Sequence, residues 1–293
     1  MENLKNKIDF AVIVNVNHAN PNGDPLNGNR PRVNYDGHGE LSDVCLKRKI
    51  RNRLMDNYSI FVQSDDNRVD NYPSLRKRVD GELSKEDRKD KKKFREAACK
   101  KWIDVRAFGQ VFAYSGSSSG DGVSIGIRGP VSIHPAFSIS PVLDRITSIQ
   151  ITKSVSGEGD GKKKASDTMG MKHRVDHGVY VFYGSMNPQL ADKTFFSEED
   201  SEAIKNAITT LFRNDASSAR PEGSMEVYKV YWWQHNNKNG QYSSAKVHRA
   251  VSNKIKVRSD INEPNRIEDY IFPTKQEVDA ELPGLHCEVF EGE

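Results

Sequence analysis

The run IDFAVIVNVNHA at residues 8–19 constrains the fold more than any other stretch, because Phe10, Val12, Val14 and Val16 alternate with Ala11, Ile13, Asn15 and Asn17. A period of two belongs to a β-strand, in which successive side chains point to opposite sides. The spacing predicts a strand with one dry face, made of Phe10 and the valines. Asn15 and Asn17 leave it on the less apolar face. A chain that begins this way needs partner strands and a layer to cover the valines.

The strand runs into HANPNGDPLNGNRPR (18–32), where two Asn-Gly pairs and three prolines exclude regular structure. Residues of this kind favour turns, and the sequence predicts backbone amides there that are free to bind an anion. Ser42 or Asp43 then stands ready to cap a helix, DVCLKRKIRNRLMDN, with Leu46, Ile50 and Leu54 as its core stripe. The other faces of that helix carry Lys47, Arg48, Lys49, Arg51 and Arg53, with no acid between them. At about 100° per residue, Lys47, Arg48 and Arg51 share one arc beside the stripe. Such a face neutralises phosphates and releases counterions without reading sequence. A solvated basic surface is the plainer alternative.

Farther along, residues 60–103 are charge-dense and weakly periodic, the mark of a helical insertion projecting from the core. Strand-like segments are expected at 104–114, 123–140 and 146–155, interrupted by a Ser/Gly turn at 115–122. A second polar excursion follows, and its position between two strands predicts a long hairpin over 152–178. In TMGMKHRV, Met169 and Met171 precede Lys172, His173 and Arg174. Apolar tips beside cations suit a wedge between bases with a grip on the flanking phosphates. Methionines filling a small hairpin core are the alternative.

Residues 197–213 open on a Ser197-x-x-Asp200 capping box and place Ile204, Ala207, Ile208, Leu211 and Phe212 on one stripe, which predicts a helix. The strand EVYKVYWWQH then precedes a mixed tail that holds a basic strand-like stretch, AKVHRAVSNKIKVR. The order strand, helix, strands, helix, strand predicts an α+β fold, a ferredoxin-like sandwich of the kind RNA-recognition modules use, as one domain over 1–293.

Composition narrows the function. With 44 basic and 41 acidic residues the net charge is +3, so any polyanion-binding surface must be local. Mean hydropathy is −0.73, which leaves much of the surface to solvent or to a polar partner. Cys45, Cys99 and Cys287 form no CxxC pair, which argues against a zinc site or a disulfide framework and for reduced thiols in the cytoplasm. No apolar run approaches the roughly 18 residues of a membrane span, and no membrane association or cofactor is expected.

Enzyme readings fit poorly. GEGDGKKK has the composition of a phosphate-binding loop without its spacing. His18, Asp24, Asp36, His38 and Asp43 supply oxygen and nitrogen ligands for a metal-dependent endoribonuclease acting on RNA, but they match no ligand pattern. His173 and His177 stand at a metal-ligand spacing only if helical, within a segment that reads as loop.

Taken together, NPNGDPLNGNRPR, DVCLKRKIRN, DVRAFGQVFA, IRGPVSIHPAFSISPV and TMGMKHRVDHGVYVFYG resemble, in order and over nearly the whole chain, the Cas-seven family, specifically the backbone subunits of type I-C CRISPR Cascade. That resemblance implies a palm with an RNA-recognition-motif-like fold, a helical finger insertion (60–103) and a thumb β-hairpin (152–178). It implies a non-catalytic subunit whose copies stack head to tail along guide RNA (crRNA), beside other Cascade subunits and with target DNA paired to the guide. Carried onto this sequence, it assigns Lys47, Arg48, Lys49 and Arg51 to the guide backbone, and Met169, Lys172 and His173 to the thumb, with Arg174 adjoining. It draws Asn15, Asn17, Arg106 and Gln110 along the same path. A generic basic RNA-binding protein is the third reading of these residues.

Overall fold

The computed structural model describes residues 2–114, 123–154 and 168–292. Strand β1 (Ile8–Ala19) leads into a short ladder of β2 (Gly23–Asp24) with β3 (Arg30–Pro31), then β4 (His38–Leu41) and helix α1 (Asp43–Leu54). Helices α2 (Leu75–Glu82), α3 (Lys91–Lys101) and α4 (Ile103–Phe108) precede the paired strands β5 (Gly109–Tyr114) and β6 (Val123–Arg128). Next come β7 (Val131–Ile133), β8 (Ala136–Pro141), β9 (Ile146–Ser154) and the long β10 (Thr168–Met186). The chain ends with α5 (Pro188–Thr194), α6 (Glu198–Thr209), β11 (Met225–Gln234), α7 (Ser244–Ser252), β12 (Lys256–Val257), β13 (Tyr270–Ile271), α8 (Lys275–Glu281) and β14 (Cys287–Phe290).

The fold is mixed α/β around a central antiparallel sheet of order β14-β11-β1-β10-β8-β4, with β7 and β9 also paired to β10. β1 lies at its centre, Ile8 facing Met186 of β10 on one side and Gln234 of β11 on the other. A bulge between Ile13 and Val14 skips Tyr228 in the β11 ladder and sets Asn15 opposite Glu226.

The alternation in β1 is real, but both of its faces are dry. Phe10, Val12, Val14 and Val16 pack with Leu46, Ile50 and Leu54 of α1 and with Ile204 and Ile208 of α6. Ala11 and Ile13, expected on a wetter face, are fully buried in a second core with Trp233 of β11, Val247 and Val251 of α7 and Val278 of α8. The C-terminal segment supplies that second cover. AKVHRAVSNKIKVR, read above as strand-like, is helical through residue 252, because Ser243 caps the Lys246 amide and Val247, Ala250 and Val251 recur at helical spacing. Lys256–Val257 alone pairs as a strand, with Tyr270–Ile271.

The expected strand at 104–114 is likewise divided. Residues 103–108 form α4, and the strand starts at Gly109, whose φ of 79° is left-handed. A Cβ there would meet the Ile127 carbonyl oxygen at 2.4 Å, so the turn from helix to strand requires glycine. Elsewhere the helix signals hold. Ser42, not Asp43, caps α1 by accepting from the Cys45 amide, and both halves of the Ser197/Asp200 capping box are made. Segment 60–103 shares a third core with β5 and β6, in which Phe61 meets Trp102 at 4.8 Å and Phe94 meets Phe112 edge-on at 4.9 Å.

Candidate nucleic-acid interface

The five cations of α1 divide by partner. Lys47 donates to Asp43 one turn back at 2.8 Å, while Arg48, 54% exposed, reaches toward Asp66 at 3.6 Å. Lys49 is 4% exposed and hydrogen-bonded to Asp215; burial pushes its ammonium pKa down against the pull of that carboxylate. Arg51 donates to the buried Asp104 at 3.0 Å, and Arg53 to Thr210 at 3.1 Å and Asp56 at 2.9 Å. Arg48 is therefore the cation of this helix that projects most freely, with Lys47 beside it.

The remaining sequence-predicted residues are distributed as follows. Asn15 donates to Glu226 at 2.7 Å, and the Asn17 side-chain oxygen accepts from His177 Nδ1 at 2.8 Å. Arg106 grips Asp200 with two bonds of 2.8 and 2.7 Å, inside the capping box of α6. Gln110 donates to the Val111 carbonyl at 3.1 Å. On β10, His173 shares a 2.7 Å hydrogen bond with Ser148 of β9, Lys172 is half-buried, and Arg174 donates to Asp176 at 3.1 Å. The backbone of Met169 pairs with Thr152, but its side chain lies outside the described residues, as do 155–167 of the hairpin and the Ser/Gly turn at 115–122.

The Asn/Gly loop is built by internal bonds rather than left with open amides. Asp24 accepts from the Leu26 amide at 3.1 Å, its backbone oxygen accepts from Asn29 at 2.8 Å, and Asn22 passes its carbonyl to Arg32 at 2.9 Å. So fixed, the loop forms a bridge. On one side Pro21, Asn22 and Gly23 wall a cleft of about 230 Å³ with Arg48, Lys49 and Asn52 of α1 and with Asp215 and Arg220. On the other side Arg30 lies close enough to His173 to assist desolvation, the larger cause, in lowering the imidazole pKa. The loop thus stands between the cationic helix and the hairpin base, with Arg48 and Arg220 in the cleft on one side and Arg30 toward His173 on the other. Asn15, Asn17, Arg51 and Arg106 each have an internal partner, and none of the four lines that cleft.

Arg30, Arg220 and Asp215 escaped the sequence reading as site residues. Arg30 sits within the loop that was singled out, whereas RNDASSARPEG (213–223) reads as an ordinary turn until folding sets Asp215 between Lys49 and Arg220, 3.1 Å from the latter. The arrangement offers the cations Arg48 and Arg220, with the Asn52 side chain, to an extended anion. The five residues considered for a metal are engaged apart, Asp24 with Arg32, Asp43 with Lys47, His18 with Asp176 and His38 with the Ser138 carbonyl, while Asp36 lies in a turn. Among the described residues no group of three or more His, Cys, Asp or Glu is placed to hold a metal ion, and no helix is long and apolar enough to cross a membrane.

The sequence model of one family, described as CRISPR-associated protein Cas7, matches residues 6–275. The chain belongs to the Cas7 family. A relative in Haloferax volcanii, named CRISPR-associated protein Cas7, is 27% identical over 226 residues, covering 73% of this chain and 66% of the relative. The match therefore spans slightly less than two thirds of that Cas7 protein's length. Among solved structures, a chain from "CRISPR RNA-guided surveillance complex, pre-nicking" superposes with a TM-score of 0.50 at 13% identity, covering 94% of this chain and 87% of that one. A chain from "CRISPR RNA-guided surveillance complex" gives 0.46 at 13% identity, covering 98% and 89%. The first likeness is one of fold, shared by a Cas7 family chain and a subunit-sized chain of such a complex.

Proposed function

We propose that this Cas7 family chain is a non-catalytic, guide-RNA-binding backbone subunit of a type I-C CRISPR surveillance complex, acting in antiviral defence in the cytoplasm. The observation that carries the reading is the loop that joins two cationic places, the cleft holding Arg48 and Arg220 and the hairpin base that Arg30 approaches at His173. Cations along a continuous path hold a phosphate backbone at successive positions, and none of them needs to recognise a base. The antiparallel order β11-β1-β10-β8, with α1 and α6 against one face, supports a ferredoxin-like, RNA-recognition-motif-like palm. Segment 60–103 then corresponds to the finger and the β9/β10 hairpin, including Met169 at 152–178, to the thumb.

Copies stacked head to tail would carry the path from one subunit to the next, with other Cascade subunits at the ends and target DNA paired to the exposed guide bases. The test is co-expression with a repeat-spacer transcript and the neighbouring genes. A large particle containing many copies and one RNA is the expected product; an RNA-free monomer under those conditions overturns the reading.

A further inference from the structure

The basic stretch around α7 takes no part in the cleft at α1. Its inward positions, Val247 and Val251, are fully buried, while Lys246, Arg249 and Asn253, spaced i, i+3 and i+7, form one exposed stripe. With Lys254 they surround a depression of about 330 Å³, floored by Ala250 and edged by Glu281. Lys254 pairs with Glu281 at 3.0 Å, and Lys246 lies 4.3 Å from the centre of the Tyr242 ring, which orients its ammonium without cancelling the charge. Exposed Lys256 follows at once, and Glu277 is the other acid near it and Lys254. Among the described residues no ion pair neutralises Arg249 or Lys246.

We propose that this stripe binds the phosphate backbone of a second nucleic-acid strand, distinct from the one held beside α1. The proposal rests on the reading above in calling the strand a second one. α1 packs on the first face of the sheet and α7 on the opposite face, so a strand following α1 does not reach Arg249. Seven residues of helix rise about 10 Å, the span of about three nucleotides at 3.4 Å each. The Asn253 amide adds a donor suited to phosphate or sugar oxygens. None of Lys246, Arg249, Asn253 and Lys254 offers the aromatic or branched aliphatic anchor that a protein partner's interface core requires, and the Tyr242 ring is engaged by Lys246 and by the Pro283 carbonyl, so the chemistry favours nucleic acid over an acidic protein.

The experiment uses RNA-loaded particles of the full chain and measures binding of labelled single-stranded and duplex DNA of unrelated sequence across a salt series, for wild type, K246A/R249A and R48E. For K246A/R249A the expected result is unchanged RNA content, roughly tenfold weaker DNA binding, and a log–log salt slope shallower by about 2 on duplex or 1.4 on single strand, which also identifies the strand form. Unchanged affinity and slope overturn the proposal, as does retained DNA binding with loss of a protein subunit from the particle. R48E separates the two readings: loss of guide RNA in R48E with DNA binding intact in the α7 variant refutes this proposal alone. Full RNA content in R48E with DNA binding lost in the α7 variant refutes the guide-RNA reading alone.

Discussion

Arg51 donates to the Asp104 carboxylate at 3.0 Å, and the same carboxylate accepts the amide protons of Phe61 at 2.7 Å and Val62 at 3.0 Å. One buried anion therefore fastens α1 to the start of segment 60–103. Removing the cation leaves a charge in the interior, so Arg51→Ala is expected to cost about 3–5 kcal/mol, read from urea unfolding. A double-mutant cycle with Asp104→Ala should return a coupling of at least about 1 kcal/mol. Coupling near zero, with RNA affinity lost in a stable Arg51→Ala protein, would return Arg51 to the interface.

Neighbouring cations on α1 should behave in opposite ways. Arg48 is exposed, so Arg48→Glu is expected to leave the melting temperature within about 1 °C while weakening RNA binding and reducing the salt slope by about 1. Lys49→Met leaves Asp215 with Arg220 as its remaining cation and should lower stability by about 1–3 kcal/mol. Filter binding beside thermal melts of the two variants checks the contrast. A stable Lys49→Met protein with the larger loss of RNA affinity would reverse the assignment.

Burial holds the His177 imidazole pKa down to about 4, and its Nε2 has no hydrogen-bond partner. Below the ordinary histidine value of about 6.5 the unfolded chain takes up a proton that the folded one refuses, so stability falls as pH drops from about 6.5 toward 4. The loss from this residue approaches about 3 kcal/mol at the acid end. Burial lowers the pKa of His248 too, in the same direction. His177→Gln should flatten the profile of unfolding free energy between pH 4 and 7; an unaltered slope would sink the assignment.

What could be read from the sequence follows the range of the interactions. Capping is local, and Ser42 and the Ser197/Asp200 pair announced their helices within four residues. The alternation of β1 was equally plain, but the cover over Ala11 and Ile13 comes from residues 247–282, where Lys256 and Val257 made a helical pattern look alternating. Lys49 shows the same limit at the site. A lysine is ordinarily exposed, and its partner Asp215 lies 166 residues away, so the cations counted along the helix do not reveal which of them the fold buries.

The central position of β1 also has a consequence in time. Its register partners extend to Met186 and Gln234, so the most apolar strand leaves the ribosome long before either neighbour exists. At about 5–20 residues per second, the ~215 residues from the end of β1 to the end of β11 take roughly 10–40 s to synthesise. During that interval both edges and both faces of the strand are open to other nascent chains, so slowed elongation or crowded polysomes will deplete this protein before its central sheet closes.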